Sequence, residues 1–370
     1  MNLIHLKKSS FFKKSVVASA AFAVASLSLV SVSVSAASNP GFVLYSAQGY
    51  DSAAVAAFNA THPGFTVTLN DNSTGPLLQQ IQAEGNNPKW GAVWVDGAIP
   101  FAHLDTIGML VKNSIPKTVK YSALGLANAP KDGSFIPTGV TETGVLCYDT
   151  NQVTTSDLPN TWKDMLTTQY VLGMNDPSVS GPTFPLIAGV FSYLSKLPYN
   201  ATTAQVKAAI TKGEAFYSSI ANKQSGGLLV NATNGVTLGA MQNLQVGMAT
   251  IQGSACYSKS LGSYPTLSEK YLDASMELPS NIGIDAKMPK IVQQDAEKFA
   301  AWVLSPAGQH AMFTGDPTGD SLFWPVIKGE NPANSVVPNI NTTNPYTINP
   351  YVWAPYESQI NSWFDSNFVN

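Results

Sequence analysis

From residue 42 onward the chain alternates short apolar runs with longer stretches of helical period. "FVLYS" is a continuous apolar run of strand length. "DSAAVAAFNAT" after it repeats apolar positions at helical spacing and stops at His62-Pro63-Gly64. "FTVTLND" alternates as a strand, and "GPLLQQIQAEG" sets Leu77, Leu78 and Ile81 on a helix that ends at Gly85. "WGAVWVDGA" and "IPFAHLDTIGML" repeat the strand–helix pair. This alternation predicts a parallel, doubly wound α/β sheet. Ligands of such sheets bind beyond the carboxyl ends of the strands. Three loops fall there, at 46–49, 72–75 and 96–98, and they carry Ser46, Ser73, Thr74, Gly75 and Asp96.

A second set of elements starts at "TGVTETGVLCYDTNQV". "LPNTWKDML" reads as a capped helix, and "YVLGMNDPSVSGPTFPLIAGVFSYLSKL" as a strand, a loop and an apolar helix. Helices follow around 203–221, then strands at "GLLVN" and "VGMATIQGSACYS". One long helix is predicted through "KIVQQDAEKFAAWVLSPAGQHAM". An Asn/Pro-rich tail ends in a short aromatic helix, and no internal repeat or low-complexity linker interrupts the chain.

Hydroxyl–Gly–Pro occurs twice at the mouth of a predicted helix, as Ser73-Thr74-Gly75-Pro76 and as Ser180-Gly181-Pro182 before Thr183. Ser and Thr cap a helix start, and Pro fits its first turn because that N–H is unpaired anyway. The same ends carry free N–H groups and the positive pole of the dipole, so they also suit an anion. Pattern alone leaves both readings open.

Ahead of these elements, "MNLIHLKKSSFFKKS" is basic, "VVASAAFAVASLSLVSVSV" is apolar, and "SVSAAS" offers cleavage near Ala36 or Ala37. That layout predicts a secretory signal peptide over residues 1–37 and a soluble, extracytoplasmic mature protein. The roughly 330 residues left are large for one core and comfortable for two lobes. Arginine is absent, so all 20 basic residues are lysine, and only 12% of the chain is charged. Without the four leader lysines, 16 basic residues face 23 acidic ones, a net charge of −7. This balance excludes nucleic acid and anionic membrane surfaces as partners. Sparse charge also suits an acidic medium, in which an excess of lysine would make the fold repel itself.

Catalytic motifs are missing. Ser114-x-x-Lys117 matches a serine–lysine pattern, but Pro116 keeps a helical turn from aligning the pair. No Gly-x-Ser-x-Gly, Walker loop or His-Glu-x-x-His is present, and His62, His103 and His310 have no metal-ligand spacing. Trp90, Trp94 and Trp302 read as core. Cys147 and Cys256 make an even pair, which permits either a disulfide or two buried thiols in an exported protein.

The order of "VLYSAQG", "STGPLLQQIQAEGNNPKWGAVWVDGA", "TGVLCYDTNQV…LPNTWKDML", "DPSVSGPTF" and "AEKFAAWVLSPAGQ" resembles the substrate-binding proteins of ABC importers, in their ferric-ion and phosphonate-type group. The resemblance spans nearly the whole mature chain. It implies a type II bilobal fold, with lobe one at 38–143 plus 280–370 and lobe two at 144–279. The strands would cross near 142–146 and 277–282. It implies a monomer without cofactors that hands a small anionic or zwitterionic, phosphonate-like solute to a membrane permease. Ser46, Ser73, Thr74, Gly75, Asp96, Ser180, Gly181, Thr183 and Tyr257 are the ligand-binding candidates it implies, with the helix mouths at Ser73–Gly75 in lobe one and Ser180–Gly181 in lobe two both facing the cleft. Ferric members hold metal with a first-loop His, a carboxylate and two adjacent tyrosines. Here Gln48-Gly49 stands in the first loop, and Cys256 replaces one tyrosine. A metal would therefore fall to Asp96 and Tyr257, and ferric binding is the alternative function.

Overall fold

Three strand–helix units build the first half, for the reason the apolar pattern gives. They are β1 (Phe42–Ser46), α1 (Asp51–Thr61), β2 (Val67–Asp71), α2 (Thr74–Glu84), β3 (Ala92–Asp96) and α3 (Ile99–Thr106). The computed structural model describes residues 41–223, 226–262 and 264–369; the leader at 1–37 with its cleavage site lies outside them. β1 pairs in parallel with both β2 and β3. All five residues of β3 are buried, as a strand covered on both faces must be.

After α4 (Ala123–Asn128) the chain enters β4 (Phe135–Thr143), passes Gly144 and continues as β5 (Val145–Asp149) in a second sheet. Gly144 has φ +77°, and a Cβ there would lie 2.8 Å from Leu186 Cδ1, so the crossing requires glycine. The second half adds β6 (Val171–Asn175), α5 (Thr183–Ser195), α6 (Thr203–Ala221), β7 (Gly227–Asn231), α7 (Asn234–Gln242), β8 (Met248–Ile251), α8 (Gly253–Leu261) and β9 (Leu267–Lys270). Its strands run in the order β7-β6-β8-β5-β9, parallel across β7-β6-β8 and antiparallel at β5 and β9. β10 (Ser275–Ile284) returns to the first sheet and lies antiparallel between β4 and β3. α9 (Lys290–Val303), α10 (Pro306–Gly315), β11 (Trp324–Pro325), β12 (Pro345–Tyr346), α11 (Pro350–Trp353) and α12 (Glu357–Phe368) complete the chain. The fold is mixed α/β with two sheets, and each sheet has a parallel core.

Local structure departs from the sequence pattern in three places. "GSACYS" is helical, because buried Gly253, Ser254, Cys256 and Tyr257 follow helix spacing rather than alternation. The long helix expected over 290–312 is two, α9 and α10, since Pro306 has no N–H to continue the ladder. Ser305 caps the restart by accepting from the Gly308 N–H at 3.3 Å. "WKDML" (Trp162–Leu166) is a short 3-10 turn, held by a reciprocal cap between Thr161 and Asp164.

Cys147, in the middle of β5, and Cys256, on α8, form a disulfide with Cα atoms 5.6 Å apart. Two free thiols are thereby excluded, and the bridge pins α8 to the sheet rather than joining two strand ends. The tail is expected in lobe one, yet its last part packs on helices of the second half. Trp353, Ile360 and Phe364 share a core with Phe191 and Tyr217, and Trp353 Nε1 donates to Ser192 Oγ at 3.0 Å.

Candidate ligand cleft

Register puts the first group of polar side chains together. β10 sets Ser280 opposite Asp96 at the carboxyl end of β3. Asp96 is 6% exposed, and its Oδ1 accepts from Gln48 Nε2 at 3.0 Å and from Ser280 Oγ at 2.6 Å. Tyr50 donates to Gln48 Oε1 at 2.6 Å, which fixes the amide so that its NH2 faces the carboxylate. Ser46 lies beneath, fully buried, with its Oγ accepting from the Gln48 N–H at 3.3 Å. Asp320 closes the group by accepting from the Gly49 N–H at 2.8 Å.

This patch is acidic and has no counter-charge. Burial raises the Asp96 carboxyl above the ordinary carboxylate range. Burial, and then Asp96, pushes Asp320 up to about 7. Burial likewise takes Asp51 to about 6, and its Oδ2 is buried without a hydrogen-bond partner. Among the described residues the ion pairs join Lys112 to Asp105 and Asp132, Lys290 to Glu297, and Lys298 to Asp295. None reaches the patch. Chemically it favours a ligand cation or a proton.

The two hydroxyl–Gly–Pro mouths touch each other. The Gly75 N–H donates to the Val179 carbonyl at 3.2 Å, and a Cβ on Gly75 would overlap the Ser178 carbonyl oxygen. A Cβ on Gly181 would lie 2.5 Å from Thr74 Oγ1. Ser73 is the N-cap of α2 in an extended conformation, yet its side chain makes no capping hydrogen bond. Gly75, expected among the donors to an anion, has its N–H engaged by protein. The mouths also wall a cavity of about 710 Å³ together with Phe184 and Asp365.

A shelf of amides and hydroxyls underlies the start of α5. Asn175 Nδ2 lies 3.3 Å from Ser180 Oγ and 2.6 Å from Asn234 Oδ1. Thr237 donates to Asn175 Oδ1 at 2.7 Å, and Asn234 Nδ2 reaches Gln252 Oε1 at 3.3 Å. Thr183 opens α5 and is 2% exposed. Gly181 N–H has no backbone partner among the described residues. A Cβ on Gly97, next to Asp96, would lie 3.1 Å from Pro185 Cγ, so the end of β3 abuts the first turn of α5.

Tyr257 stands apart from these groups. It is 2% exposed and packs in a core with Phe323 and Trp324, with its buried hydroxyl beside Thr141 and Tyr271. Burial first, then Glu142, pushes its pKa up, so the phenolate is disfavoured. Among the described residues no three His, Cys, Asp or Glu side chains are grouped to hold a metal ion. Sequence reasoning singled out Ser46, Asp96 and the loop 46–49 that carries Gln48, but not Ser280 and Asp320, which arrive from β10 and from a turn far along the chain. No local motif marks them.

The described residues contain no helix long and apolar enough to cross a membrane. No curated protein matches the chain. Solved structures do. Iron-bound HitA from Pseudomonas aeruginosa is similar at 19% identity over 87% of this chain and 98% of that one, with TM-score 0.67. AfuA from Actinobacillus pleuropneumoniae, with fructose-6-phosphate bound, matches at 13% identity over 89% and 98%, with TM-score 0.71. A periplasmic thiamin binding protein matches at 16% identity over 90% and 97%, with TM-score 0.66. At such identities they establish a shared periplasmic-binding-protein fold. The family described as bacterial extracellular solute-binding protein matches residues 45–310, and the chain belongs to that family.

Proposed function

We propose that this protein captures a small zwitterionic solute, with an ammonium group and a phosphonate-like anion, and delivers it to an ABC-importer permease. The family is one of extracellular solute-binding proteins, which fits a periplasmic or extracellular place of work. The observation that carries the ligand class is the pair of carboxyls, Asp96 and Asp320, which no described lysine neutralises, with Gly97, next to Asp96, packed on Pro185 in the first turn of α5. An ammonium would neutralise the pair. The anion would take the dipole of α5, the Gly181 N–H and the Ser180 hydroxyl, with Thr183 behind them. A simple anion gains the second half of this arrangement and is repelled by the first.

On this reading the two halves close about the strand crossings at β4–β5 and β9–β10, and the Gly75–Val179 contact is the closed latch. A ferric or metal-chelate ligand is the second reading. It is favoured by the similarity to iron-bound HitA. The test is a thermal-shift and calorimetric screen of an aminoalkylphosphonate, the matching alkylphosphonate, the matching alkylamine and ferric citrate. Preference for the aminoalkylphosphonate supports the proposal. Saturation by ferric citrate alone overturns it in favour of metal.

A further inference from the structure

We propose that Asn200 is the acceptor of an N-linked glycan on the exported protein. Five Asn-x-Thr triplets occur in the chain, beginning at Asn59, Asn72, Asn200, Asn231 and Asn341. In an exported protein this triplet is the acceptor pattern for N-glycosylation, and it works only where asparagine and threonine are both reachable. The fold removes four of the five. Asn59 has both ends of its amide bound to the backbone of Val67, at 2.9 Å each. Thr74, after Asn72, is 6% exposed and packed against Gly181. Asn231 lies within β7 with a buried Nδ2. Thr343, after Asn341, is fully buried and donates its hydroxyl to Glu142 Oε1.

Only Asn200-Ala201-Thr202 leaves both its asparagine and its threonine exposed, the Thr202 hydroxyl capping α6 at the surface through Gln205. It forms the turn between α5 and α6. Asn349 Nδ2 donates to Asn200 Oδ1 at 3.2 Å, which orients the amide, and the described residues show no acceptor for its Nδ2. A second observation is the surface beside it. A hollow of about 670 Å³ is lined by Asn200, Tyr199, Tyr351 and Leu126. These three neighbours are 56%, 39% and 65% exposed, an apolar surface beside the triplet. The first sugars, with their apolar C–H faces, would cover those rings.

The donor class is an oligosaccharide carried on a lipid diphosphate. Asn200 Nδ2 bonds to the anomeric carbon, the bond from that carbon to the diphosphate oxygen breaks, and the amide loses one proton as the lipid diphosphate leaves. The experiment is intact-mass and peptide mass spectrometry of the full chain purified from the organism that makes it. We expect a sugar-mass increment confined to the peptide containing Asn200, absent from Asn200→Gln. Asn200 is exposed, so that variant keeps the fold, and unchanged thermal melting verifies it. An unmodified Asn200 peptide from the native source, or carbohydrate that persists in Asn200→Gln, overturns the proposal.

Discussion

Gly75 and Val179 are joined by a backbone hydrogen bond of 3.2 Å that links the mouth of α2 in the first half to the loop before α5 in the second. The contact is close enough that only glycine fits at 75, since any side chain would overlap the Ser178 carbonyl. Gly75→Ala should therefore hold the halves apart while leaving each core intact. We expect ligand affinity to fall about tenfold, as an overpacking cost of roughly 1–3 kcal/mol implies. Small-angle scattering should show a larger radius than wild type at the same ligand concentration. A variant that closes and binds as wild type would remove the latch.

The shelf under α5 predicts a second loss. Ser180→Ala removes a hydroxyl held by Asn175 and offered to the anion. Binding should weaken about tenfold to a hundredfold, the worth of one hydrogen bond to a charged group. Thr74→Ala tests the other mouth and should act mainly through closure, because Thr74 Oγ1 faces Gly181. Calorimetry separates the two: Ser180→Ala should discriminate between ligands with and without the anion, and Thr74→Ala should not.

Reducing the Cys147–Cys256 bridge opens a loop of 109 residues. The chain-entropy account gives a loss of about 4–5 kcal/mol for a loop of this size. Urea unfolding of the protein with and without reductant measures it, and coincident curves would contradict it.

Stability should rise on acidification. Burial lifts Asp51 and Asp285 to about 6, Asp320 to about 7 and Glu142 to about 8. A carboxyl with a folded value above its unfolded one binds more protons in the native state, so its contribution is complete near pH 4 and is lost as pH climbs through the folded value. The window runs from about pH 4 to about pH 8. Asp132, Asp149, Asp157 and Asp164 shift downward and matter only below it. Denaturation midpoints at pH 5 should exceed those at pH 8, with a smaller difference in Glu142→Gln. A maximum near pH 8 would contradict both this and the acid-medium reading of the arginine-free composition.

How far the sequence could be read follows from how each signal is encoded. β1 to β3 and α1 to α3 were legible because each has its own apolar period and its own stop at Gly or Pro. Asp96 and Ser46 were legible for the same reason, lying where strands of such sheets end. Ser280 and Asp320 were not, because only the return of β10 beside β3 and the turn after α10 bring them to Asp96; Gln48 lies in the loop 46–49 already placed there. α8 reads as strand in the sequence since Ala249 to Cys256 mixes small and apolar residues at both spacings. That the two helix mouths face one cleft is what the family resemblance implies, but their direct contact through Gly75 and Val179 was not legible. It depends on how two sheets sit together, and no local pattern specifies that.

The measurement closest to the central claim is calorimetry of wild type and Asp96→Asn against an aminoalkylphosphonate and its amine-free alkylphosphonate. If the carboxylate patch recognises an ammonium, wild type prefers the aminated ligand. Asp96→Asn should then lose about tenfold to a hundredfold for that ligand, while holding or improving affinity for the alkylphosphonate. Equal affinity of wild type for both ligands, with Asp96→Asn indistinguishable on either, would contradict the account.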